Sequence, residues 1–475
     1  MADSIDFFKK LASTEAFRKL ILNPLDRDCP VDGNVLDMAI NKYINPTLEV
    51  CTKCKIKSTV ANKILNKAAE GLDVTPDEFK ELLIQPYYRR ALKSLVIGIK
   101  KYGFQKPFLP SNPFLVIWNF TNLCNSKCKH CYQNAGEKAV DELNLEQQKK
   151  VIDNLSDWGI TFLVFSGGEP LVHPDFFELA EYAAKKGIAP GILTNGTMIT
   201  RETAKKLVNV GIAYAEVSLD SLDSKEHDEF RGLEGAWKRS VEGMKNLIEV
   251  KIPTAMVTFI HKNNYKNIPE FVNFAKEMGA GFWGMLDYKP AGRAKNLDID
   301  MSPDQREEAL KILSEATLNE IKNRNEKKPF ILLDANTPQF GRKMKELSRK
   351  YGFVGHYGFL INNSLLLEIV GGCAVGRAYI GLQQNGDISP CVYMPDLVIG
   401  NVLKDDLDHL WSNNQILKDL RDRDGFEGYC PKCENEYICG GCRARAYDYL
   451  GDVTKPDIGC IHNKEHWEKY MRSRS

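Results

Sequence analysis

The chain has 475 residues, beyond the roughly 100–200 of a single domain, so a large body with attached modules is expected. Its 64 Lys and Arg against 63 Asp and Glu leave a net charge of +1, which argues against a globally basic nucleic-acid binder and against an acidic disordered chain. With 43% hydrophobic and 10% aromatic residues it can fill substantial cores, yet its apolar runs, such as Phe114 to Trp118 and Phe330 to Leu333, fall short of the roughly 20 residues of a transmembrane segment.

Met1 to Lys10 carries Asp3 and Asp6 in a broken apolar pattern, not the charged-then-apolar plan of a secretory signal, so a cytoplasmic location is expected. In a reducing compartment 13 cysteines read as metal ligands or catalytic groups before disulfides. They form an early group (Cys29, Cys51, Cys54), a middle group (Cys124, Cys128, Cys131) and a late group (Cys373, Cys391, Cys430, Cys433, Cys439, Cys442, Cys460).

Residues 1–111 read as a helical module. Phe7, Phe8, Leu11 and Phe17 begin one amphipathic stretch, and Thr75, Pro76 and Glu78 form the capped start of another. No strand alternation or β-hairpin is expected there. Cys29-x2-Asp32 with Cys51-x2-Cys54 has the spacing of a four-ligand zinc knuckle, although buried or unremarkable cysteines are the reading favoured from spacing alone. Residues 51–106 hold 12 Lys and Arg against 5 Asp and Glu, read first as solvated helix faces and second as a surface for a membrane or an acidic partner.

From residue 112 to residue 290 short apolar runs alternate with helical segments, the pattern of a parallel βα series. Strands are expected at Phe114–Phe120, Thr161–Phe165, Ala189–Leu193, Tyr214–Leu219, Thr254–Ile260 and Phe282–Tyr288. Helices are expected at about Leu145–Trp158, Pro174–Lys186, Ala204–Val210, Ala236–Val250 and Ile268–Met278, which together make an α/β fold, a partial (β/α)6 TIM-type barrel. Residues 291–372 read as a connector with a helix capped by Ser302 and an aromatic and Gly-rich stretch from Tyr351 to Phe359. Residues 373–475 carry seven cysteines among turn residues, so metal is expected to hold much of that segment together.

After the first strand the sequence reads Cys124-Asn-Ser-Lys-Cys128-Lys-His-Cys131, at the barrel edge where such folds collect their sites. Three thiolates suit a four-iron cluster only if one iron stays open to a ligand, and a zinc loop is the plainer alternative. Glycines at Ser166-Gly167-Gly168-Glu169-Pro170 permit close backbone approach, and Glu169 could accept from an ammonium. Thr194-Asn195-Gly196-Thr197 and Ser218-Leu-Asp220-Ser221 end the next two strands.

This succession resembles the radical S-adenosylmethionine (SAM) superfamily. The resemblance implies a [4Fe-4S] cluster on Cys124, Cys128 and Cys131, with the SAM methionine group on the fourth iron, and reductive cleavage of SAM to a 5′-deoxyadenosyl radical that abstracts hydrogen from a substrate. It implies a cofactor groove at Gly167, Gly168, Glu169, Thr194, Asn195, Ser218 and Asp220, with Arg231 near the SAM carboxylate and His130 near adenine. Reduced ferredoxin or flavodoxin is implied as electron donor.

The late cysteines run Cys373-x17-Cys391, then Cys430-x2-Cys433-x5-Cys439-x2-Cys442, then Cys460. This is similar to the SPASM extension of such enzymes, which implies two auxiliary [4Fe-4S] clusters: Cys430, Cys433, Cys439 and Cys460 on the distal one, and Cys373, Cys391 and Cys442 on the nearer one, completed by a non-cysteine ligand or left with an open iron. Zinc is the alternative metal here. Cys439-Gly-Gly-Cys442-Arg-Ala-Arg-Ala-Tyr447 and Gly372-Cys373-Ala-Val-Gly-Arg377 resemble the enzymes of alternative haem biosynthesis, which implies oxidative decarboxylation of porphyrin propionates. Tyr357, Arg377, Arg443 and Arg445 are the candidates for the porphyrin pocket. Val392 follows Cys391 where sulfatase-maturing relatives place Asp, which disfavours that activity. Peptide or protein maturation is the alternative substrate class, and a non-enzymatic metal-cluster scaffold the alternative of another kind.

Overall fold

The computed structural model describes residue 14 and residues 27–71, 74–322, 330–334, 336–347, 353–354, 360–361 and 368–474. The amphipathic stretch expected from Phe7 to Phe17 lies outside the described residues, as do most residues of the Tyr351–Phe359 stretch, Tyr357 among them.

The N-terminal module begins with a two-residue antiparallel ladder, β1 (Asp28–Cys29) against β2 (Gly33–Asn34), followed by α1 (Val35–Ile44), α2 (Thr52–Gly71), α3 (Pro76–Ile84) and α4 (Pro86–Tyr102). The ladder corrects the expectation of no hairpin. It is too short for any alternation of apolar residues to announce it, and Gly33, at φ +72°, lets the chain leave the turn into β2. The Thr75–Glu78 capping box expected from the sequence is formed at the start of α3. The module has its own core, in which Val35, Ile40 and Tyr43 of α1 meet Ala61 and Leu65 of α2 and Phe79 and Leu83 of α3.

The barrel strands are β3 (Leu115–Thr121), β4 (Phe162–Gly167), β5 (Ala189–Thr194), β6 (Tyr214–Ser218), β7 (Thr254–Ile260) and β8 (Phe282–Asp287), paired in parallel in that order. Between them lie α5 (Leu145–Trp158), α6 (Phe176–Lys185), α7 (Arg201–Asn209), α8 (Ser224–Arg231), α9 (Ala236–Glu249) and α10 (Ile268–Glu277). Each expected βα unit is present, and α8, a short and strongly polar helix, is an addition. The run of seven buried residues in β7 shows why such strands read as continuous apolar stretches, since helices cover one face and core side chains the other.

The sheet does not stop at the sixth strand. After α11 (Pro303–Lys322), β9 (Ile331–Asp334) pairs in parallel with β8. The chain continues through α12 (Gln339–Leu347) and a ladder of β10 (Phe353–Val354) with β11 (Leu360–Ile361). β12 (Tyr379–Leu382), from the cysteine-rich segment, pairs in parallel with β3 at the opposite edge, and β13 (Asp387–Ser389) and β14 (Gly400–Asn401) extend it antiparallel. The ten-stranded sheet therefore crosses the boundaries expected at residues 290 and 372. One core runs from Val116 and Trp118 of β3 to Ile380 and Leu382 of β12 and to Trp411 of α13 (Leu407–Asn413). α14 (Gln415–Arg421), α15 (Arg443–Leu450) and α16 (Lys464–Arg474) complete the described chain.

Candidate functional site

The C-terminal ends of β3 to β8 converge on one edge of the sheet. A register shift between Asn119 and Thr121, where β3 pairs with β4, redirects the chain into the loop that carries Cys124, Cys128 and Cys131. Gly167 and Gly168 sit directly under that loop. A Cβ on Gly168 would come within 1.9 Å of Leu123 O, and one on Gly167 within 2.3 Å of Thr121 O. The amides of Gly168 and Glu169 donate to Thr121 O and Leu123 O, both at 2.8 Å. The close approach expected at these glycines is thus made, but to the cysteine loop itself.

The Glu169 carboxylate is buried and already accepts from Leu171 N, Thr194 Oγ1 and Asn195 N at 3.2, 2.7 and 2.8 Å. Burial raises its pKa against the lowering effect of these donors. Its evident work is to tie the end of β4 to the end of β5. Asn195 in turn donates to Asn125 Oδ1 and Ser126 Oγ, fastening the cysteine loop from a third strand. Ser218 is half-buried at the end of β6.

Asp220 accepts from Arg231 Nε at 2.6 Å and from Phe259 N at 3.0 Å, with His130 Nε2 at 3.7 Å. Burial alone would raise this carboxyl, yet Arg231 and the neighbouring imidazoles hold it far below the carboxylate range. Arg231 Nη1 lies 3.9 Å from Cys128 Sγ, so α8 delivers a cation to a cluster-ligand candidate while pairing it with Asp220. His130 packs against Phe230 and Phe259, with ring centroids at 4.6 Å to each, and those two rings are themselves 6.0 Å apart. Burial lowers its pKa to about 3, so the imidazole is held neutral beside these rings. Its buried Nδ1 has no partner.

The three thiols influence one another electrostatically, and burial raises Cys124 to about 12 and lifts Cys128 in the absence of metal. Two accept backbone N–H bonds at 3.4 Å, Cys124 from Ser126 and Cys131 from Ala135. One buried and two half-buried thiols grouped on one loop, two of them accepting backbone N–H bonds, fit the ligand set of an iron–sulfur cluster.

The structure places the late cysteines in two groups. Cys430, Cys433, Cys439 and Cys460 line one cavity together with Arg342, Tyr429 and His462. Cys391, Cys442 and Cys373 form the second set, close enough for mutual electrostatic influence. Gly441 N donates to Cys439 Sγ at 3.3 Å, Arg445 N to Cys442 Sγ at 3.4 Å, and Tyr379 Oη lies 3.9 Å from Cys391 Sγ. Arg423 is buried under electrostatic influence from both sets. Its Nη2 donates to Cys373 O, while Nε and Nη1 have no partner. A buried guanidinium with two of its nitrogens unpaired beside two thiol sets fits anionic clusters and was not flagged by any motif.

The arginines expected at a porphyrin pocket mouth lie elsewhere. Arg377 is buried and donates to Phe108 O and Val370 O, and Arg443 donates to Val453 O and Lys455 O beneath the Phe426 ring. Arg445 is fully buried, paired with Asp287 and Asp457. Short helices and tight turns bring these residues inward, which their sequence spacing does not reveal. Between the first cysteine loop and the second set, Tyr132 and Tyr393 pack at 4.9 Å, and fully buried Lys289 lies over Tyr393. The early group is gathered as well: ligand atoms of Cys29, Asp32, Cys51 and Cys54 all lie within 4.8 Å of one another, which corrects the reading of unremarkable cysteines.

The radical SAM superfamily model matches residues 118–275, and the model of an iron-sulfur cluster-binding domain, SPASM, matches residues 373–435. The AdoMet-dependent heme synthase of Methanosarcina barkeri is 32% identical over 356 residues, covering 74% of this chain and 97% of that protein. The Fe-coproporphyrin III synthase of the same organism is 29% identical over 385 residues, covering 77% and 94%. Among solved structures, Streptococcus suis SuiB bound to precursor peptide SuiA aligns with a TM-score of 0.62 at 19% identity over 86% of this chain and 90% of that one, a likeness of fold.

Proposed function

We propose, from the premise that this chain belongs to the radical SAM superfamily and is an iron–sulfur enzyme of that family, that its substrate is a propionate-bearing porphyrin, which it decarboxylates oxidatively in the biosynthesis of a haem-type cofactor. The observation that carries this reading is the 32% identity to AdoMet-dependent heme synthase over 97% of that protein. When bound, the first cluster and SAM supply one-electron chemistry that ends in hydrogen abstraction from the substrate.

The chain's own part is positional. Cys124, Cys128 and Cys131 would hold the first cluster, with Arg231 balancing charge at Cys128. Glu169, Asn195 and the two glycines fix the loop that presents it. Tyr132 and Tyr393 would supply an aromatic wall between this site and the second cysteine set, beside buried Lys289, which Asp287 holds in place. Electron removal toward Cys373, Cys391 and Cys442 would complete a decarboxylation, in which the substrate loses a hydrogen atom, one electron and CO2. A reduced ferredoxin or flavodoxin would supply the electron for SAM cleavage.

The test incubates the anaerobically reconstituted enzyme with SAM, a reductant and an iron porphyrin carrying propionates. Deoxyadenosine release stimulated by the porphyrin, with a product lighter by its carboxyl groups, supports the reading. Stimulation by a peptide with none by the porphyrin overturns it in favour of peptide maturation. No helix among the described residues is long and apolar enough to cross a membrane.

A further inference from the structure

We infer that the N-terminal module is clamped by one structural zinc ion held by Cys29, Asp32, Cys51 and Cys54. These residues lie outside the stretches matched by both family models. Two elements present them. The β1–β2 turn offers Cys29 and Asp32, and the start of α2 offers Cys51 and Cys54.

The distances select the metal chemistry. Tetrahedral zinc with Zn–S of about 2.3 Å places two thiolate sulfurs about 3.75 Å apart, and with Zn–O of about 2.1 Å places sulfur and carboxylate oxygen about 3.6 Å apart. Cys29 Sγ and Cys51 Sγ are 3.7 Å apart, and Cys29 Sγ and Asp32 Oδ2 are 3.9 Å apart. A disulfide needs about 2.05 Å between sulfurs, so the pair is not bonded. A group of four donors within 4.8 Å matches a single ion, with each residue giving one ligand. Cys51 N donates to Asp32 Oδ2 at 3.0 Å, which orients the carboxylate toward the thiols as an outer hydrogen bond does at metal sites. Four protein ligands close the tetrahedron, so the ion is structural and has no open position for a substrate.

The module explains what the ion is for. Its core is small, and a unit of this size gains from a staple where apolar burial is limited. Cys54 is buried within that core, so a metal there ties the hairpin turn to the helix pair. α4 then docks the module against the N-terminal face of the barrel: Arg90 donates to Ser156 O and Lys186 O, and Tyr87 packs on Phe162 at the start of β4. That face is opposite the strand ends that carry Cys124, Cys128 and Cys131. The clamp therefore acts on the scaffold and not on the chemistry.

The experiment measures zinc and iron together in the full-length, cluster-reconstituted protein from zinc-supplemented cultures. Zinc should be near one per chain, and its X-ray absorption should show three sulfur ligands and one oxygen. Cys29→Ser/Cys51→Ser should lose zinc at least about fivefold while keeping its iron and its SAM cleavage. Asp32→Cys should keep zinc with a four-sulfur shell, which decides the matter even if the double variant does not fold. Zinc unchanged in the double variant, wild-type protein without zinc, iron lost in place of zinc, or a shell unaltered in Asp32→Cys would each overturn the assignment.

Discussion

Gly168→Ala is a single methyl placed against the backbone that presents the first cysteine. The new Cβ would lie 1.9 Å from Leu123 O, where carbon and oxygen settle at about 3.5 Å, so about 1.6 Å must be absorbed. Gly168 cannot move away easily, because its amide and that of Glu169 donate to Thr121 O and Leu123 O, and Glu169 is fastened to β5. The displacement falls on Leu123 and Cys124. A shift of about 1 Å at a reacting centre costs roughly a hundredfold in rate, so reductive cleavage of SAM should fall at least about a hundredfold. The assay is deoxyadenosine formed per chain under reducing, anaerobic conditions, with iron counted in the same samples. Iron held by the late cysteines should stay, because their sets lie on other segments. Gly136→Ala is the control in the same loop: no atom lies within 4 Å of its added Cβ, so cleavage should be unchanged. Cleavage by Gly168→Ala within about threefold of the wild type would refute the reasoning from contact geometry.

Cys124→Ala should abolish SAM cleavage, whereas Cys460→Ala should spare much of it and stop substrate turnover; undiminished product from the second variant would contradict a redox role for the distal set. About 12 irons per chain are expected for three four-iron clusters, and a yield near four with added zinc would remove the auxiliary clusters. Burial raises Glu216 to about 7, against about 4.3 when unfolded, so folding prefers its protonated form. Its stabilising contribution is then full below about pH 4.3, falls by at most about 1.4 kcal/mol per pH unit, and is lost as pH rises through 7. Glu216→Gln should flatten that decline in denaturant melts between pH 5.5 and 8, and parallel curves for the two proteins would show that the group does not titrate there. Burial alone would raise the Asp287 carboxyl, but Arg306, Arg445 and Lys289 hold it far below the carboxylate range. Asp287→Asn leaves those cations under-balanced and should cost about 3–5 kcal/mol, read as a lower unfolding midpoint at pH 7, and the difference should shrink once the pH falls below the carboxylate range.

Local patterns determined much of this protein before any fold was known. The six barrel strands and, apart from polar α8, the helices between them follow from apolar runs and caps, because burial against the adjacent layer is written into consecutive residues. The grouping of the late cysteines came from resemblance and not from spacing, since Cys439 and Cys442, three residues apart, belong to different groups.

Tertiary structure alone decided the rest. β12 joins β3 across more than two hundred residues, and β9 extends the other edge, because pairing depends on free sheet edges and not on any periodicity in the strands themselves. The same distance effect governs the polar residues. Arg377, Arg443 and Arg445 read as cations at a pocket mouth, yet each is drawn inside where carbonyls or carboxylates from distant segments satisfy it. His130 meets Phe230 and Phe259 from two other elements, and Cys29 meets Cys51 only when a two-residue hairpin folds over α2. A sequence carries the chemistry available along the chain, whereas the partner that satisfies or exposes each charged or nucleophilic group is set by which distant segments come to share its surroundings.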